Sequence, residues 1–183
     1  MIIGKAQKQP AEIQSYSVTY DNDLNPNEDV TTAYHAIYVE RRLVEKVTKN
    51  VDYTADADDA FKLFKLEDGA TLTIPADLPD DTEFYVSNFD AEEDATVACS
   101  ELIDGETALL LSINRSFVIK RVDGTWITVV NGTNVVVNTP TDHRVRVFFD
   151  GGEDRTVYIT EVTADTDEGR RLQDELRITV KET

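Results

Sequence analysis

The stretch HRVRVFFDGGEDRTVYITEVTADTDEGRRLQDELRITV, residues His143 to Val180, decides the fold. Val145, Val147 and Phe149 alternate with charged or apolar partners until Asp150-Gly151-Gly152-Glu153-Asp154 breaks the pattern. Apolar residues resume at Val157 and Ile159, with Val162 on the other face. After a second polar break at Thr163 to Glu168, Leu176, Ile178 and Val180 alternate again. Period-two spacing, β-branched enrichment and Gly/Asp breaks are the signature of successive antiparallel strands. The Gly-Gly pair supplies the positive φ that a tight hairpin uses, so a hairpin is expected at Gly151 and Gly152. The residues alone predict an all-β binding or structural module.

Composition narrows the function classes. The chain has 183 residues, enough for one large or two small domains. Its 18 Lys and Arg against 36 Asp and Glu give a formal net charge of -18. Such a charge repels phosphate backbones, so no nucleic-acid partner is expected. Cys99 is the single cysteine, which rules out an internal disulfide and the cysteine-rich zinc patterns. In Thr96-Val97-Ala98-Cys99 it reads as a small apolar strand residue. A nucleophile there needs a basic partner, and His35 and His143 are the only histidines. Met1-Ile2-Ile3-Gly4-Lys5 opens no long apolar run, so neither a signal peptide nor a membrane partner is expected.

Residues 1 to 11 read as an extended arm containing Lys8-Gln9-Pro10, and Tyr16, Val18 and Tyr20 alternate as a first strand. Asp21 to Asp29 (DNDLNPNED) is a loop with acidic and amide side chains at every second position. A calcium loop of the EF-hand type needs Gly where Pro26 stands and Glu at its twelfth position, so a plain turn is the stronger reading. Val30 to Val39 is a second strand, within which His35 reads as a packing or surface residue. Arg41 to Asn50 fits either a helical turn or a continued strand. Asp56 to Phe64 likewise opens either a short helix or a strand.

From about residue 52 to 130 short strands follow one another. They fall at Ala70 to Ile74, Glu83 to Phe89, Thr96 to Cys99, Ala108 to Ile113, Ser116 to Arg121 and Thr125 to Val130. Asp123-Gly124 is a strong hairpin signal between the last two. Regular turns between short strands imply a sandwich or compact roll, and no repeat of solenoid length is evident. Trp126 is expected to cover one end of this core; its alternative role is a stacking platform for a glycan. Acidic runs at Asp56-Asp58-Asp59, Asp90-Glu92-Glu93-Asp94 and Asp165-Asp167-Glu168 read as solvated turns, with a divalent ion between two of them as the sharper alternative. No Ser-His-Asp order, phosphate loop or dinucleotide motif is present. The residues therefore nominate no catalytic, cofactor-binding or metal site, and no cofactor.

The two ends together resemble a family of small tailed-bacteriophage virion proteins with an immunoglobulin-like β-fold, the fibre-tail adaptor and tail proteins. Lys8-Gln9-Pro10-Ala11-Glu12-Ile13 and Tyr16-Ser17-Val18-Thr19-Tyr20 resemble the opening of such proteins. Val145-Arg146-Val147-Phe148-Phe149, Gly151-Gly152, Thr156-Val157-Tyr158, Gly169-Arg170 and Ile178-Thr179-Val180 resemble their far end. The middle departs from that family and is similar to small β-modules of phage tail fibres. The segments that carry this likeness are Thr71 to Pro75, Phe84 to Asn88, Phe117 to Lys120 and Asp123 to Trp126.

The resemblance implies a discontinuous immunoglobulin-like β-sandwich, residues 1–45 and 132–183, split by an inserted β-domain, residues 52–131, which projects from it. It further implies a non-enzymatic component of a virion, assembled in the host cytoplasm. Such a component would join tail or head to a fibre or spike through sheet edges and the residue 1 to 12 arm. Its partners would be other virion proteins, in a homo-oligomer. A glycan- or receptor-binding module and a capsid decoration protein are the alternatives.

Overall fold

The structure, a computed structural model, describes residues 2–8, 13–131, 135–137 and 143–182. Among these the chain forms strands and one 3-10 turn, Ala57–Asp59, with no α-helix. The all-β expectation holds.

Seven strands from the two ends of the chain build two sheets. One is ordered β1 (Ile2–Lys8), β16 (Arg171–Val180), β15 (Val157–Thr166) and β3 (Val30–Val39). The other is ordered β13 (Val135–Val137), β14 (Arg144–Phe149) and β2 (Gln14–Thr19). In chain order, β2, β3, β13, β14, β15 and β16 occupy the B to G places of an immunoglobulin-like sandwich, whose sheets hold B-E-D and C-F-G. The architecture is thus compatible with that fold. Tyr158, near the start of β15, accepts a hydrogen bond at its hydroxyl from the Glu153 N–H, 3.0 Å away. A tyrosine bonded back to the preceding corner is a mark of such sandwiches.

Val18, Val145, Val147, Val162 and Ala164 pack between the two sheets with Tyr20 and Ala33. β15 is buried along nearly its whole length rather than on alternate residues. Burial on both faces of a strand requires a layer on each side. The second layer comes from the chain between β3 and β13.

That part forms a nine-stranded sheet. Its path runs β4 (Glu45–Lys49), β6 (Lys62–Leu66), β8 (Glu83–Asn88), β11 (Ser116–Val122), β12 (Thr125–Asn131), β9 (Ala95–Ile103), β7 (Thr71–Ile74) and β5 (Tyr53–Thr54). β10 (Glu106–Leu111) pairs with β9. The pairs β4–β6, β6–β8, β5–β7 and β7–β9 are all parallel. The chain therefore alternates between two stacks of parallel strands, three coils in all. The hairpin β11–β12 closes the third coil, antiparallel to β8 and parallel to β9. Phe64, Leu66, Leu72, Ile74, Phe84, Val86, Val97 and Trp126 fill the space between the stacks.

This arrangement corrects the expected sandwich or compact roll, and it is a coiled repeat where none was expected. Paired positions lie 17 residues apart from Glu45 to Lys62 and 22 from Leu63 to Tyr85. They lie 19 apart from Tyr53 to Leu72 and 25 from Leu72 to Val97. Unequal coils leave no fixed period for the eye to find. Nor does the unit project freely. Leu63, Tyr85, Val118 and Val130 share one core with Ile37, Tyr158, Ile178 and Val180 of the sandwich.

The Gly151-Gly152 hairpin is a second correction. β14 pairs with β2 and not with β15, so the glycines carry the chain across from one sheet of the sandwich to the other. Both have positive φ, +79° and +104°, and both lie against other strands. The Gly152 N–H donates to the Val129 carbonyl at 2.7 Å, and Gly151 bridges Val130. A Cβ at Gly151 would stand 2.6 Å from the Val129 carbonyl oxygen. Gly151→Ala is expected to cost at least about 2 kcal/mol, through left-handed strain and backbone overlap together. Denaturant titration of the variant tests this; an unchanged midpoint would mean that the loop relaxes freely.

Other expectations resolve individually. Asp123 and Gly124 form the expected tight hairpin, with φ of +49° and +76°. The break expected at Thr163 to Glu168 is shorter, because β15 runs to Thr166 and pairs through Asp165 with Arg171. Arg41 to Asn50 contains strand β4, and Asp56 to Phe64 contains the 3-10 turn followed by the start of β6.

Candidate functional site

The residues singled out for chemistry are dispersed. Cys99 faces the core between the coils at 5% exposure, and burial pushes its thiol above the usual range. Ellman's reagent is expected to leave it unmodified in the folded chain and to react only on unfolding; rapid native labelling would contradict this burial. His35 is wholly buried in β3, and desolvation lowers its pKa to about 3. Its carbonyl accepts a hydrogen bond from Ser116 Oγ at 2.7 Å. His143 sits at the other end of the sandwich, with Nδ1 3.0 Å from Asp21 Oδ1 and Nε2 3.2 Å from Asp29 Oδ1. Neither histidine is brought to Cys99. Trp126 is 0% exposed and stacks obliquely on Phe84 at 5.8 Å, so it is core and offers no platform to a sugar.

The acidic runs are turn acceptors. Asp56 caps the 3-10 turn by accepting from the Asp58 N–H at 2.8 Å, while Asp59 accepts from Tyr53 and Lys62. Asp90 accepts N–H bonds from Glu92, Glu93 and Asp68, and these donors hold its carboxyl below the usual range. Asp165 receives a two-pronged contact from Arg171 at 2.6 and 2.8 Å. In the Asp21 to Asp29 loop, Glu28 turns inward and accepts from the Asn25 N–H and from Arg170 at 2.7 Å. Among the described residues no three His, Cys, Asp or Glu side chains converge as a metal ion requires.

The charged groups that sequence reading passed over lie where the coils meet the sandwich. Glu161, in the middle of β15, is buried and held by Lys46 of β4 and by Lys65 of β6, the latter at 2.8 Å. Burial raises its pKa, but the two ammonium groups outweigh that and bring it below the usual range. Glu83 of β8 pairs with Arg42 and accepts from the Tyr85 hydroxyl at 2.7 Å. Here desolvation wins, and the carboxyl is shifted upward. Lys120 of β11 reaches Glu153 in the glycine loop at 2.8 Å and Asp81 at 3.1 Å. An acid in the centre of an apolar run, Ile159-Thr160-Glu161-Val162, was the available signal for such a buried pair.

Open strand edges are what the surface offers. β1 bounds its sheet, lying parallel to β16 from Ile2 opposite Glu175 to Lys8 opposite Val180. The N-terminal segment is thus laid on this chain's own sheet over Ile2–Lys8, which corrects the free docking arm; residues 9–12 of that arm lie outside the described residues. β2 has β14 on one side and no strand on the other among the described residues. β4 and β5 end the coil stack, with Val44 and Val51 more than 60% exposed beside them. Unpaired edges display backbone N–H and C=O groups at strand spacing and are templates for another chain. β4 guards its edge with Glu45, Lys46 and Lys49. β2 has no charged residue at all. No family model matches the chain, and no curated protein matches it.

Proposed function

We propose that the chain is a non-enzymatic structural protein of a bacteriophage virion, joining tail or head to a fibre or spike by strand addition at its open sheet edges. The observation that carries the docking part is the unguarded outer side of β2, in a sandwich whose strand order is compatible with an immunoglobulin-like fold. Main-chain pairing supplies affinity without special side chains, in keeping with a sequence that holds no catalytic motif. The virion part is supported by the resemblance of residues 8–20 and 145–180 to phage adaptor and tail proteins. In this reading residues 52–131 are an insertion between two strands of the sandwich, braced against it by the Glu161 and Glu83 ion pairs. The protein works in symmetric copies among other virion proteins, where weak single contacts add to firm attachment.

Mass spectrometry and an electron-microscopy map of particles purified from the encoding phage test the reading. The expected result is this chain in repeated copies at a head or tail junction. Absence from particles, together with sedimentation as an isolated monomer, would overturn it.

A further inference from the structure

We infer that the cleft between the outer side of β2 and the first residues of β16 takes an extended, lysine- or arginine-bearing segment of a partner protein, added as a new strand to β2. The inference rests on the docking reading above and names its place and chemistry.

β1 covers β16 only from Glu175 onward, so Arg171 to Asp174 have no strand beyond them among the described residues. Next to this gap lies the open edge of β2. The two together leave a cleft of about 360 Å³, lined by Ser17, Thr19, Tyr20, Asp23, Leu172 and Asp174 among others. That volume is in the range of sites that hold several side-chain-sized groups.

Two independent features of the lining point to a ligand. Tyr20 is 1% exposed, yet its hydroxyl has no hydrogen-bond partner among the described residues. Buried hydroxyls are normally paired, so an unpaired one lining a cleft marks a place for an incoming polar group. The cleft is also acidic: neither Asp23 nor Asp174 forms an ion pair among the described residues. Burial is the main cause that pushes the Asp174 carboxyl upward. Burial and then the same two carboxylates likewise raise the Tyr20 hydroxyl. An incoming ammonium or guanidinium pairs with the carboxylates and donates to the Tyr20 hydroxyl. Leu172 gives an apolar wall beside them. A strand laid along β2 turns alternate side chains inward, so a basic residue two positions from an apolar one matches both parts of the lining.

The test is a titration of the ¹⁵N-labelled full chain with the capped peptide Thr-Val-Thr-Lys-Thr-Val, and with its counterpart carrying Glu for Lys. Amide shifts are expected at Ser17 to Tyr20 and Leu172 to Asp174. The Glu peptide should bind at least about tenfold more weakly, and so should the Lys peptide with Asp174→Lys. Asp174→Asn, which keeps the side-chain shape, should show an intermediate loss. No shift at millimolar Lys peptide, shifts centred elsewhere, or equal binding of the two peptides would overturn the inference. Failure here is separable from failure of the virion reading. A chain found in particles whose β2 edge takes neither peptide loses only the cleft; one that takes the Lys peptide but is absent from particles loses only the virion role.

Discussion

Taking the pH from 7.5 to 4 is expected to remove about 3 kcal/mol of folding stability through His35 alone. The residue is 0% exposed, and with the ring out of water its pKa falls to about 3. In the unfolded chain it titrates near 6.5. Its folded pKa is therefore the depressed one, so the unfolded state binds the extra proton between the two values. The loss begins as the pH drops through about 6.5 and is complete near 3. At pH 4 the gap spans roughly 2.5 pKa units, at 1.36 kcal/mol each. The measurement is a denaturant titration at a series of pH values for the native chain and for His35→Gln. Carboxylates such as Glu161, held below the usual range, also lose stability in acid, and Glu83, shifted upward, acts with the opposite sign. Both titrate in each protein and cancel in the comparison. Two parallel pH profiles would show that His35 is not buried as a neutral ring.

Removing the Glu161 carboxylate is expected to be more damaging still. Glu161→Ala leaves Lys46 and Lys65 facing a buried position with no counter-charge, an arrangement that costs about 3–5 kcal/mol. The pair itself is not a large net source of stability, because taking charges out of water offsets most of their attraction. Replacing Glu161 and Lys65 together by Met is thus expected to recover part of the loss, with the half-exposed Lys46 left to turn to solvent. Thermal unfolding of the single and double variants separates the two effects. A double variant as weak as the single one would mean that the ion pair contributes through its own attraction.

How much was legible in the sequence follows from the physics of each element. Alternation made β16 and the first half of β15 plain, and the two pair over a long antiparallel stretch; Thr163 to Thr166, the rest of β15, had read as a break. Asp123-Gly124 revealed its hairpin because positive φ at two successive positions selects those residues. The same reasoning misjudged Gly151-Gly152, where positive φ serves close approach to Val129 rather than a hairpin. Strands β7, β8 and β9 were recognisable singly, whereas β4 and β6 stayed open between helix and strand, β5 was missed, and the parallel stacking of all six was hidden. Parallel partners are joined through a whole coil, and coils of unequal length erase the periodicity. Lys46 and Lys65 were not singled out, because nothing local says that a third layer covers them; the one local signal was Glu161 within an apolar run. The β2 cleft was equally hidden. It exists only because β1 lies on β16 rather than on β2.

That placement of β1 has a bearing on how the molecule is made. Of the described strands, β1 is made before all the others and β16 after them, and the two are neighbours, with Ile2 opposite Glu175 and Lys8 opposite Val180. At ordinary translation speeds the wait between them is on the order of ten to thirty seconds. The strand pairings of the coil stack all fall within residues 45–131, so they can form in the meantime. The β1–β16 seam of the sandwich is thus a clasp that cannot shut until the whole coil stack has been made.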